Sequence, residues 1–282
     1  MTQLTIGVLH PGAMGISVAV SAQSSGCTVY WVSDGRSSDS HRRAQEHNLQ
    51  DAGTLDNLCA TCDIILSVCP PHAAEQVASQ VIGQGFSGLF VDANAIAPQR
   101  AQQIGRMIRE AGAAFVDGGI IGGPAWKPGE TWLYLAGERA EEVAACFEGG
   151  MLETAVIGSD IGKASALKMC YAAYTKGTSA LLSAILATAE RFNVRSDLEN
   201  EWSRGGSDFA GQTQMRVRRV TAKAWRFAGE MEEIAATFEA AGLPGGFHLA
   251  AHDIYQRMAQ FKDAPNLPEL AKILTALSND GS

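Results

Sequence analysis

Two glycines near the start of the chain, Gly12 and Gly15, stand where an apolar run, Leu4 to Leu9, gives way to a small-residue run, Gly15 to Ser24. Glycine at such a junction removes the Cβ. Backbone amides can then approach a phosphate closely, and the next helix can lie tight on the strand. The stretch His10-Pro11-Gly12-Ala13-Met14-Gly15 reads as the second and third glycines of a dinucleotide fingerprint, with His10 in place of the first. A pyrophosphate there would meet the positive end of the helix dipole, and the His10 ring would contact the ligand or cap the helix. A second strand, Thr28 to Val32, runs into Ser33-Asp34-Gly35-Arg36-Ser37. An acid at that place binds the ribose hydroxyls of NAD, whereas an arginine among small hydroxyls holds the 2′-phosphate of NADP. Both signs are present. The cluster of Ser33, Arg36 and Ser37, with Arg42 and Arg43 behind it, points to NADP, and Asp34 leaves NAD open.

The elements that must position these residues alternate. Strand-like runs at Leu4–Leu9, Thr28–Val32, Ile64–Val68, Gly88–Asp92, Ala114–Asp117 and Trp132–Ala136 are separated by helical stretches at Gly15–Ser24, Arg42–Leu49, Ala73–Val81 and Pro98–Ala111. Such alternation implies a mainly parallel sheet with right-handed crossovers. In that fold ligands gather at the carboxyl edge of the strands. Asn94, at the end of a strand, would then hydrogen-bond substrate or ribose, or cap an Asx turn ahead of Pro98. Gly122 and Gly123 would offer amides to a substrate oxygen, or simply make a turn.

From about Gly158 the pattern changes. Apolar residues recur at Ala164, Leu167, Tyr171, Tyr174, Leu181, Ile185, Ala189 and Phe192, at helical spacing. This predicts one helix from Ile161 to Phe192, about 30 residues and roughly 45 Å long, with those residues on its buried stripe. Helical patterns continue through Met215–Phe227, Met231–Ala241, Phe247–Gln260 and Pro268–Leu277. The expectation is an α/β domain over residues 1–160 followed by an all-α domain over residues 161–282, joined through the long helix.

Composition narrows the classes. The chain has 282 residues, 46% apolar and 18% charged, and a net charge of −8, which describes a globular protein and argues against a nucleic-acid partner. No apolar run is long enough for a membrane span. Met1 to Val8 enters a strand pattern directly, so neither a signal peptide nor export is expected, and the location implied is cytoplasmic. Cys59 and Cys62 form a Cys-x-x-Cys with no second ligand pair, which favours packed, reduced thiols over a metal site.

The chain resembles the β-hydroxyacid dehydrogenase superfamily, which includes 3-hydroxyisobutyrate and 6-phosphogluconate dehydrogenases and to which imine reductases are related. The C-terminal half is similar to the shorter helical domain of a poorly characterised branch. Gly12-Ala13-Met14-Gly15 matches the family's opening turn and Val68-Cys69-Pro70-Pro71 its proline-ended strand beside the nicotinamide. Asp92-Ala93-Asn94 through Pro98 matches the next strand end, and Asp117 to Gly123 matches the substrate loop in part. The resemblance implies a Rossmann domain, a nicotinamide cofactor (NADP, with NAD possible) and a homodimer whose subunits share sites. It also implies that Lys168, a few residues after Gly162, is the catalytic acid and base. Lys168 would take a proton from an alcohol as the hydride leaves, or return one to a carbonyl oxygen.

Three departures matter. His10 replaces a glycine, Ile121 replaces the substrate-loop serine, and Ala172 replaces an asparagine four residues after the lysine. A site lacking those two donors binds a hydroxy-carboxylate poorly, so a more apolar substrate is expected than 6-phosphogluconate or 3-hydroxyisobutyrate. Tyr171 and Tyr174 could supply a phenol to the site, although aromatic residues on a helix stripe are more often core. His248 could approach a partner's site or merely open a helix. The competing expectations are an imine or enamine reductase, against which Lys168 weighs because a cation neighbours an iminium badly, and a cofactor-binding sensor without catalysis.

Overall fold

The computed structural model describes residues 4–262 and 264–278. The chain divides into two compact units, Met1–Met169 and Cys170–Ser282. In the first unit, β1 (Thr5–Val8), β2 (Thr28–Trp31), β3 (Gln50–Asp51), β4 (Ile64–Ser67), β5 (Leu89–Asp92), β6 (Ala114–Ile121), β7 (Trp132–Ala136) and β8 (Glu153–Val156) make one sheet. Its order is β3-β2-β1-β4-β5-β6-β7-β8. β1 to β6 are parallel, β7 runs antiparallel to β6, and β8 is parallel to β7.

The continuous apolar runs explain this arrangement. Leu66 and Val91 feed one apolar cluster and their chain neighbours Ile65 and Phe90 feed the other. Strands buried on both faces need apolar residues at every position, and helices must cover both sides. Those helices are α1 (Ala13–Ser24), α2 (Ser38–Glu46), α3 (Leu55–Thr61), α4 (Ala74–Gly83), α5 (Pro98–Glu110) and α6 (Ala140–Ala145). The strand order reverses direction between β1 and β4, which opens a crevice at the carboxyl ends of those two strands.

β6 is longer than its sequence suggests. Gly118 and Gly119 read as the start of a loop, yet both lie within the strand. The reason is close approach: a Cβ on Gly118 would sit 3.0 Å from the Asp92 carbonyl oxygen, and one on Gly119 would sit 2.6 Å from that of Ala164. Glycine in a strand often marks such a place. The helix above Gly119 is α7 (Lys163–Ala172).

The single long helix is also corrected. α7 passes into a π turn, Ala173–Gly177, and then into α8 (Thr178–Arg191). A π turn widens the helix and releases carbonyls from their usual partners. Here the Thr175 carbonyl accepts from Arg216 Nη2 at 2.7 Å and the Lys176 carbonyl from the Tyr255 hydroxyl at 2.7 Å. The unit boundary falls inside α7, at Met169, rather than at residue 160, because the start of α7 is tied to the sheet of the first unit.

The second unit is helical. α9 (Arg195–Trp202), α10 (Phe209–Val220), α11 (Ala224–Ala240), α12 (Gly246–Met258) and α13 (Leu270–Ser278) follow α8. The expected helix Met215–Phe227 is broken by a 3₁₀ turn, Thr221–Lys223, where the buried Thr221 hydroxyl bonds back to the Arg218 carbonyl. Among the described residues, no helix is long and apolar enough to cross a membrane.

Gly119→Ala is expected to force α7 off β6 and to cost about 1–3 kcal/mol, as overpacking does. Gly123→Ala, where an added Cβ meets nothing within 4 Å, should leave the melting temperature within about 1 °C of the parent. Equal melting temperatures for the two variants would contradict the tight packing.

Candidate functional site

The carboxyl ends of β1, β4, β5 and β6 bring together most of the residues singled out in the sequence. β1 ends at His10-Pro11-Gly12, and Gly12 precedes α1 as its cap residue. An added Cβ on Gly12 would meet nothing within 4 Å, so the space above the turn is open. A Cβ on Gly15 would collide with the His10 carbonyl oxygen, so α1 lies against the turn as a fingerprint glycine requires. Ala13 and Met14 open α1, where the first amides have no helical acceptor.

Two buried nitrogens near this turn lack partners among the described residues: His10 Nδ1 and, from the loop after β2, Arg36 Nε. Buried polar atoms are nearly always satisfied, so this pair suits a polar ligand. Burial lowers the His10 pKa to about 4, with Arg36 contributing, so its imidazole is neutral at physiological pH. Arg36 lies in the loop after β2, is half-buried, and is close enough to Asp34 and Cys69 to feel both. Its own pKa is lowered by desolvation despite them.

The neighbouring candidates divide in role. Ser33 is half-buried beside Arg36. Ser37 caps α2, its hydroxyl accepting from Ser40 N at 3.3 Å. Arg42 turns away to Glu46 and Asp39 on the surface. Arg43, which the sequence marks only as a charge near the cluster, donates through Nε to the Pro11 carbonyl at 3.1 Å and braces the glycine turn.

At β4, Val68 and Cys69 are half-buried and Pro70 is exposed. Asn94 is buried, and its carboxamide holds this turn: Oδ1 accepts from Cys69 N at 2.6 Å and Nδ2 donates to Ser67 Oγ at 3.0 Å. Its contribution therefore runs through the Cys69–Pro70 backbone. Arg100, in the first turn of α5, lies near enough to Cys69 and Asp92 to act on both electrostatically. No sequence signal marked it.

Lys168 is half-buried and stands above Gly119 of β6, whose added Cβ would lie 3.1 Å from the lysine Cβ. The helix that carries it is held by Asp117. That carboxylate accepts from the amides of Gly162, Ala164 and Ser165 at 2.9, 2.9 and 3.1 Å and from the Ser165 hydroxyl at 2.6 Å. Burial nonetheless raises the Asp117 pKa. Asp92, its register partner on β5, is pushed up to about 7 by burial. Asp92 Oδ2 has no partner among the described residues.

Gly122, at φ +128°, and Gly123 make the turn after β6, and the Gly123 carbonyl accepts from Thr131 Oγ1 at 2.8 Å. Tyr171 and Tyr174 belong to the second unit and face outward, Tyr174 with 69% exposure. The expected buried stripe is thus corrected: Leu167, Tyr171, Tyr174, Leu181 and Phe192 are all exposed. The buried side of the run is made by smaller residues such as Ala172, Ala180, Ser183 and Leu186. His248 is buried in the second unit, against Phe238 and Phe247. All six cysteines are free thiols, and burial pushes Cys59 and Cys62 up to about 11 and 12, as packed thiols require. Among the described residues, no group of three or more His, Cys, Asp or Glu could hold a metal ion.

Comparison with known proteins gives the family and the fold. Residues 5–149 match the family described as the NAD binding domain of 6-phosphogluconate dehydrogenase. Residues 189–258 match one described only as a domain of unknown function. An uncharacterised 28.5 kDa protein of Methanothermus fervidus is 29% identical over 164 residues, 58% of this chain and 62% of that protein. The chain therefore spans less than two thirds of the length of this relative. A conserved protein of unknown function, described as structurally similar to 3-hydroxyacid dehydrogenases, superposes with a TM-score of 0.68 at 25% identity, covering 93% of this chain and 100% of that one. The Mycobacterium tuberculosis 3-hydroxyisobutyrate dehydrogenase, solved with L-serine, gives a TM-score of 0.70 at 16% identity, covering 99% and 100%. At that identity the likeness is one of fold.

Asp92 yields a pH test. Its folded pKa, about 7, exceeds its ordinary value of 3.8. The folded state therefore keeps a proton that the unfolded chain has already released, so stability falls as pH rises between these values and levels off above. Asp92→Asn removes this slope. Its melting temperature relative to the parent should climb from about pH 4 to about pH 7 and then stay level; a difference independent of pH would contradict a protonated Asp92.

Proposed function

The chain belongs to the family of the NAD binding domain of 6-phosphogluconate dehydrogenase, and on that premise we propose that it is a nicotinamide-dependent oxidoreductase acting on a small hydroxy or carbonyl compound. One observation carries this reading. A glycine turn flanked by His10 Nδ1 and Arg36 Nε, both buried and without partners among the described residues, lies on the same sheet edge as Lys168, above Gly119.

Gly12, Ala13, Met14 and Gly15 receive the pyrophosphate at the start of α1, with His10 and Pro11 shaping the turn. Arg36, with Ser33 and Ser37, takes the 2′-phosphate, so NADP is the preferred cofactor and NAD the alternative. Val68, Cys69 and Pro70 flank the nicotinamide ring, and Asn94 fixes their backbone. The dinucleotide, when bound, supplies or accepts the hydride. Lys168 exchanges the matching proton at the substrate oxygen, held in place by the Asp117 cap two turns earlier. Gly122 and Gly123 offer amides to the substrate. Ile121 brings an apolar side chain where a hydroxyl donor would stand, which favours a substrate without a carboxylate at that position.

The outward apolar residues of α7 and α8 support a homodimer. Phe192 is 72% exposed and Tyr174 nearly as much, on the face that also carries Leu181. Contiguous apolar surface of this kind marks an interaction site. Sedimentation should give a dimer at micromolar concentration, and Tyr174→Glu with Leu181→Glu should give a monomer; a monomeric parent would contradict the assignment.

The chemistry is tested by titrating NADPH and NADH and then screening ketones, hydroxy acids and imines by nicotinamide absorbance. Arg36→Ala should weaken NADPH about tenfold more than NADH, and equal weakening would transfer the preference to NAD. Lys168→Ala should lower kcat on a carbonyl substrate by about 10²–10⁴ while cofactor affinity is retained. Imine turnover that survives Lys168→Ala would replace alcohol chemistry with imine reduction. Tight cofactor binding without turnover of any class would leave a sensor.

A further inference from the structure

The chain is acidic, yet residues 209–229 contain five basic residues, Arg216, Arg218, Arg219, Lys223 and Arg226, and no acid. Arg218 is engaged by the Pro268 carbonyl and Glu269. Three of the others, Arg216, Arg219 and Lys223, line a cavity of about 600 Å³ within the helical unit. Met215 and Phe227 form apolar parts of its wall, and Asp208 is the single carboxylate on it.

Arg216 is the built element. Its Nε donates to Ser179 Oγ at 2.7 Å and its Nη2 to the Thr175 carbonyl at 2.7 Å. Both acceptors are neutral, so the guanidinium is fixed in position and makes no ion pair among the described residues. The Thr175 carbonyl is offered by the π turn, and such turns recur at functional sites. The nearest buried acid, Glu230, is already taken by the Lys176 ammonium, which also sits 4.6 Å from the Phe227 ring centre. Arg219 and Lys223 make no ion pair or hydrogen bond among the described residues. Three cations around one cavity with a single carboxylate on its wall repel one another, and an anion relieves that repulsion.

We propose that this cavity binds a small amphipathic anion. A carboxylate or phosphate lies against Arg216, Arg219 and Lys223, and its apolar body lies on Met215 and Phe227. The guanidinium of Arg216 is suited to bidentate contact with either head group. The inference stands on the helical unit alone and is independent of the hydride chemistry proposed above.

Calorimetry on the full chain tests it, with hexanoate and hexyl phosphate as charged probes, hexanol as the body without charge, and acetate and inorganic phosphate as charge without body. Hexanoate or hexyl phosphate should bind at least about tenfold more tightly than any of the other three; the tighter of the two identifies the head group. Arg219→Ala with Lys223→Ala should weaken that probe about tenfold or more. Both side chains are exposed, so the melting temperature and NADPH affinity should not change. Arg216→Ala is a second variant, expected to abolish binding, but its bonds to the π turn make the double variant the deciding one. Hexanol binding as well as hexanoate, charged-probe affinity unchanged in the double variant, or no binding of either charged probe at about 10 mM would each overturn the proposal.

Discussion

The Asp117 carboxylate ties the first unit together. It sits buried within β6, level with the end of β5, and gathers four donors from the start of α7. A helix begins with amides that have no helical acceptor, and a carboxylate there satisfies them while meeting the positive end of the dipole. Burial works against the charge, and these four bonds work for it. The register of β5 and β6 places a second buried acid, Asp92, directly alongside. Two carboxylates at one sheet edge cannot both ionise cheaply. Asp117 has the donors and Asp92 largely lacks them, so it is Asp92 that holds a proton up to about pH 7. The placement of Lys168 follows from that asymmetry, because the helix that carries it begins on Asp117.

Much of the first unit was legible because its constraints are local. A strand buried on both faces must be apolar at successive positions, as at Ile64 to Leu66, and a phosphate turn must lose its Cβ, as at Gly12 and Gly15. The parts that were not legible depend on what lies across space. Gly118 and Gly119 look like a loop until the Asp92 and Ala164 carbonyls above them are known. Arg43 looks like a spare surface charge until the Pro11 carbonyl lies in its reach. α9 was missed because it buries none of its residues, so it has no apolar period to detect.

The long helix taught a different lesson. Periodicity put Leu167, Tyr171, Tyr174, Leu181 and Phe192 on one stripe with Ala164 and Ala189, yet the large residues are exposed and those two alanines buried, because period alone cannot say whether a residue faces its own chain or the outside. Large apolar residues there and small ones opposite would both fit a helix packed on two sides. The π turn was likewise invisible, since Ala173 to Gly177 contains no residue forbidden in an α-helix. Its cause is external: Arg216 and the Tyr255 hydroxyl arrive from other helices to take the released carbonyls.

That turn also distinguishes two lysines eight residues apart on one helical run. Lys176 is buried against Glu230 and the Phe227 ring, and desolvation lowers its pKa even though Glu230 opposes the shift. A buried pair of this kind contributes little net stability, but removing one partner strands the other charge. Lys176 therefore cannot give up its proton without stranding Glu230, and its role is to hold α11 to the π turn. Lys168 has a different setting. It is half-buried, stands on the sheet edge over a glycine, and lies on a helix whose start is capped by Asp117. A proton-transfer group needs a charge that can change without unfolding what surrounds it, and burial against Glu230 and the Phe227 ring denies that to Lys176.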